Sequence, residues 1–122
     1  MNVNLFIGNC KTAMKSVRAE LEGAKQMLGQ LDGEPLSIKQ LQSLITKNVL
    51  LSSDHDGLVK RFKRGITMEG TEEICVEIKA LCTEIKTTLI QILEILNAYD
   101  LSSEDFKNFL FKNKFSNREK ND

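Results

Sequence analysis

Asp54-His55-Asp56 sets the one histidine of the chain between two carboxylates. A hydrolytic or metal site draws on such groups. The same residues suit the start of a helix, where side-chain oxygens and negative charge are favoured. Consecutive loop residues seldom aim at one point, and no reactive cysteine in a polar setting accompanies them. The trio reads as a capping segment.

Cys75 and Cys82 are the first residues to weigh as metal ligands, with Cys10 and His55 as partners. Seven residues of helix rise ~10.5 Å. Two sulfurs at ~2.3 Å from one zinc cannot lie that far apart. All three cysteines sit among apolar residues, as buried thiols do. The chain also lacks a phosphate-cradling glycine loop, a dinucleotide-binding glycine pattern, a Gly-x-Ser-x-Gly elbow and a Glu-x-x-His pair around His55. No catalytic residue, metal ligand or cofactor is assigned, and the chain reads as non-enzymatic.

Lys60-Arg61-Phe62-Lys63-Arg64 is the densest local charge. Four cations in five residues exceed what a helix C-terminus alone calls for. Lys60, Arg61, Lys63 and Arg64 are therefore candidate ligands for the phosphate of a nucleic acid or nucleotide. A second basic row, Lys11, Arg18 and Lys25, repeats every seven residues and can face Glu77 and Glu84, which share that spacing.

Helices must position these groups. Ile74, Ile78, Leu81, Ile85, Leu89, Ile92, Leu96 and Tyr99 recur at steps of three and four, the stripe of a long helix over 71–99. Cys75, Cys82 and Leu93 widen it. Beyond Thr88, Ile90, Leu93 and Ile95 make the helix apolar nearly all round. Val3, Ile7, Cys10, Met14, Val17, Leu21, Ala24, Leu28 and Leu31 form a heptad series, predicting a helix over about 4–30. Val3, Leu5 and Ile7 also alternate as in a strand, so a start as late as Asn9 is the rival reading. Asp32-Gly33-Glu34-Pro35 is a turn. Ser37 and Gln40 form a capping box for a helix over about 38–50, burying Ile38, Leu41, Leu44, Ile45 and Val49. A short third helix follows at about 56–64, with Gly65 as its left-handed stop. Thr71 caps the long helix. Ser102 caps a last one at about 103–114, with Phe106, Phe109 and Leu110 on its buried side.

The totals agree with such a fold. The 122 residues are 41% hydrophobic and 28% charged, with seventeen basic and seventeen acidic side chains. Balanced charge gives no global pull towards nucleic acid. An odd number of cysteines among apolar residues suits a reducing, cytoplasmic setting. No apolar run approaches the ~18 residues of a membrane span, and the first residues do not form a signal-peptide pattern.

The expectation is an all-α bundle of about five helices in one domain, 1–115, with a flexible tail at 116–122. Three short helices cannot cover two long ones, so an apolar strip should remain. Ile90, Leu93, Ile95, Phe106, Phe109, Leu110 and Phe111 are the expected interface. The expected function is that of a small regulatory interaction protein that binds another protein or a second copy of itself. Nucleic-acid or nucleotide binding through 60–64 is the alternative.

Overall fold

The computed structural model describes residues 2–31 and 35–99. They form three α-helices and no strand: α1 (Val3–Gly29), α2 (Ile38–Gly65) and α3 (Glu72–Asn97). The all-α class is as expected; the count of five helices is not met. The helix expected at 103–114, the tail at 116–122, Asp100 and most of the 32–35 turn lie outside the described residues.

The helices pack up, down, up. Phe6 and Glu20 of α1 meet Gly65 and Lys47 of α2, an antiparallel pair. Lys25 of α1 stands 3.6 Å from Glu84 of α3, the partner expected from their shared spacing. At the far end the Leu36 amide donates to the Tyr99 hydroxyl at 2.8 Å, which fastens the entry of α2 to the end of α3.

α1 begins at Val3, not at Asn9. Asn2 caps it, its side-chain oxygen accepting from the Leu5 amide. Cys10, Met14, Val17, Leu21 and Ala24 are buried as the heptads predict, and Phe6 joins them from outside that series. The capping box at α2 is present in full, with Gln40 N to Ser37 Oγ at 3.1 Å and Ser37 N to Gln40 Oε1 at 2.9 Å.

The main correction is that 38–50 and 56–64 are one helix. Leu44, Leu51, Leu58 and Gly65, seven apart, are all buried on one seam of α2. Keeping Leu51 and Leu58 on that seam is worth ~1.5–3 kcal/mol each. Helical Ser, Asp, His and Gly over 52–57 cost at most ~1 kcal/mol apiece. A break there would also orphan backbone groups at two new helix ends. Asp54-His55-Asp56 therefore caps nothing. Ile38 and Val49, expected in the core, are exposed.

The α2–α3 corner also departs from expectation. Gly65 is not a left-handed stop; it is the last residue of α2, and Gly70 takes the positive φ of 85°. Thr71 precedes α3 as expected, yet its side chain does not cap it. Its buried hydroxyl donates back to the Gly65 carbonyl at 2.6 Å, with the Met68 carbonyl at 3.0 Å. The threonine thus ties the corner to α2.

α3 supplies the largest share of the core: Ile74, Ile78, Leu81, Ile85, Ile92 and Leu96 are buried as predicted, with Cys75 and Thr88 beside them. Among the described residues no helix is long and apolar enough to cross a membrane.

Candidate functional site

In one continuous helix, neighbouring residues diverge by about 100°. His55 faces α3, beside Val59, Phe62, Lys79, Cys82, Thr83 and Lys86, around a cavity of about 260 Å³. Asp54 lies on the α1 side, and Asp56 is exposed. The three side chains do not converge. Nor do any three histidine, cysteine or acidic side chains gather as a metal site among the described residues.

Asp54 is half-buried near the Glu20 carboxylate of α1, which is paired with Lys47. Lys47 Nζ contacts Glu20 Oε1 at 2.9 Å, and burial, then the Glu20 charge, raises the Asp54 pKa above its usual 3.8. A carboxyl whose folded pKa is raised favours the protonated folded state. Stability then falls as pH rises from about 3.8 through the folded value. Asp54→Asn is expected to raise the melting temperature at neutral pH, with the gain disappearing in acid. Equal melting of the two proteins across that range would contradict this.

Cys10, Cys75 and Cys82 are free thiols. Burial pushes the Cys82 pKa up, partly offset by Lys86, and burial likewise raises Cys10 against the fields of Arg61 and Arg64. Both stay protonated at neutral pH, unlike an activated nucleophile.

The basic cluster splits across α2. Lys60, Arg61 and Arg64 line one cleft of about 310 Å³, together with Gly57 and with Phe6, Asn9 and Cys10 of α1. Arg61 donates to the Gly57 carbonyl at 3.4 Å, and Arg64 lies 5.9 Å from the Phe6 ring centroid. Lys63 does not line the cleft. The contribution of α1 was not visible in the sequence, because Asn9 lies off the heptad seam and only the packing register brings it to α2.

The expected apolar interface divides as well. Ile90 is 56% exposed and Leu93 44%. They share one shoulder of α3, about 60° apart at about 100° per residue. Lys86 and Glu94 flank them, each four residues from Ile90. Ile95 is half-buried about 140° round the helix from Ile90. It falls on the side of Glu84 and Gln91, which looks towards Lys25 and Leu28 of α1. Phe106, Phe109, Leu110 and Phe111 lie outside the described residues. Comparison with protein-family models, with curated proteins and with solved structures finds no match for the chain.

Proposed function

We propose that the protein is a non-enzymatic interaction module which binds another protein through the Ile90–Leu93 shoulder of α3 and pairs with a second copy of itself there. The observation that carries this reading is the exposure of two large aliphatic side chains one turn apart on the most apolar helix of the chain. Apolar surface of this kind gains free energy when a partner covers it.

The flanking charges favour a second copy. A two-fold axis through Ile90 runs the paired α3 helices antiparallel, and the contact is then self-complementary. Lys86 and Glu94 are equidistant from Ile90, so Lys86 of one copy meets Glu94 of the other, twice. Val49 and Ile66, also exposed, lie on α2 and at its end and are not part of the shoulder. The free thiols support a reducing, cytoplasmic setting for this role.

Ile90→Arg with Leu93→Arg should leave helical content intact and lower the assembled mass in light scattering. Lys86→Glu alone should weaken assembly, and Lys86→Glu with Glu94→Lys should restore it. Assembly that ignores both the arginines and the charge reversal would exclude this surface. A large loss of melting temperature in the arginine variant would show that the shoulder is part of the fold instead.

A further inference from the structure

We propose that the cleft between α1 and α2 is a binding site for a small phosphate-type anion, held by Lys60 and Arg61 with Arg64 and Asn9 at its rim. This site is separate from the α3 shoulder and stands whether or not the chain self-associates.

The charges are segregated in a way that helix stability does not require. The sequence has no Asp or Glu before Glu20, and none from Gly57 to Met68. Those two stretches are the ones that α1 and α2 bring together around Phe6 and Gly65. The negative end of the α2 dipole accounts for Lys63 and Arg64, which sit in its last turn. Lys60 and Arg61 stand a turn earlier, where that effect has faded.

Neither of them forms an ion pair among the described residues. Asp56, one turn from Lys60, is not within ion-pair distance of it. The acids of the α1–α2 seam, Glu20 and Asp54, do not line the cleft, and Glu20 pairs with Lys47. On α3 the nearest acids, Glu72 and Glu73, are exposed and do not line the cleft.

Geometry narrows the ligand. Gly57, Lys60, Arg61 and Arg64 follow the three-and-four spacing of one helix face, so their ends surround a single concavity. Gly57 leaves the cleft open where a larger side chain would begin to fill it. Guanidinium and ammonium donors suit the oxygens of a phosphate, and the Asn9 amide adds a donor from the opposite wall. A cleft of about 310 Å³ is at the small end of ligand sites, which fits a phosphate or pyrophosphate group better than a nucleic-acid backbone. Phe6 is buried with Arg64 over its ring, so little of that ring is open to a stacking base. Recognition therefore rests on the phosphates.

The test is titration with inorganic pyrophosphate at low salt, followed by backbone amide chemical shifts. Shifts should concentrate at Asn9, Cys10 and 57–64. Lys60→Gln and Arg61→Gln should each weaken binding about tenfold, as expected for one lost charge-assisted hydrogen bond. Lys63→Gln removes the same charge from the same helix and should change affinity less than about twofold. Circular dichroism confirms that the three variants fold alike, since all three side chains reach solvent. A nucleoside diphosphate should bind as pyrophosphate does. Absence of pyrophosphate binding, equal weakening by Lys63→Gln, or binding of a nucleotide or an oligonucleotide without pyrophosphate would each overturn the proposal.

Discussion

Leu81→Ala and Ile85→Ala should each lower the unfolding free energy by about 2–5 kcal/mol. Both side chains are almost wholly buried at the middle of α3, where α1 and α2 close over it. Truncation removes transfer energy and leaves a cavity that three long, mutually braced helices cannot easily fill. Glu77→Ala and Lys79→Ala, exposed on the same helix, should change stability by less than about 0.5 kcal/mol. Denaturant melts measure all four. A loss below about 0.5 kcal/mol for either core variant would mean that the buried face of α3 is assigned wrongly.

The second large effect concerns the corner between α2 and α3. A Cβ built on Gly65 comes 2.7 Å from Cys75 Sγ and 3.3–3.4 Å from the Phe6 ring. Both neighbours are buried, and Phe6 also carries Arg64 above it. Alanine gains about 1 kcal/mol in helix propensity over glycine, but that gain is small beside the clash. Gly65→Ala should therefore destabilise by about 1–3 kcal/mol. Removing the obstructing sulfur should relieve it, so Gly65→Ala with Cys75→Ala should cost less than the two single changes added together. A neutral or stabilising Gly65→Ala would show that the corner has room to move.

The two long helices and most of their buried positions were legible, because seams at three-and-four spacing survive any detail of packing. The second helix was misread through its turn-prone residues. Ser52, Ser53, Asp54 and Gly57 each favour a break locally, and the seven-residue series through Leu44, Leu51, Leu58 and Gly65 overrides them. Gly65 reads from sequence as a positive-φ stop, whereas close helix approach is what needs it. Phe6 was missed since it lies beside the α1 heptads, not on them. Ile38 and Val49 fit the apolar periodicity of a short helix but fall outside the seam of the continuous one.

The sites were legible only in part. Lys60, Arg61 and Arg64 stood out as a charge run, but their separation from Lys63 follows from how α2 rotates against α1. Likewise an all-round apolar α3 end does not reveal which side α1 occupies. Packing assigns Ile95 to the α1 side and, among the described residues, leaves Ile90 and Leu93 on an exposed shoulder. The symmetric placing of Lys86 and Glu94 about Ile90 became meaningful only once that shoulder was separated from the rest.

Self-association through α3 is most directly tested by sedimentation equilibrium of the wild-type chain at high micromolar concentration. The expected mass is twice the 13.8 kDa of one chain, retained as salt is raised, because the contact is mainly apolar. A mass of one chain throughout that range would contradict the pairing of two copies through Ile90 and Leu93.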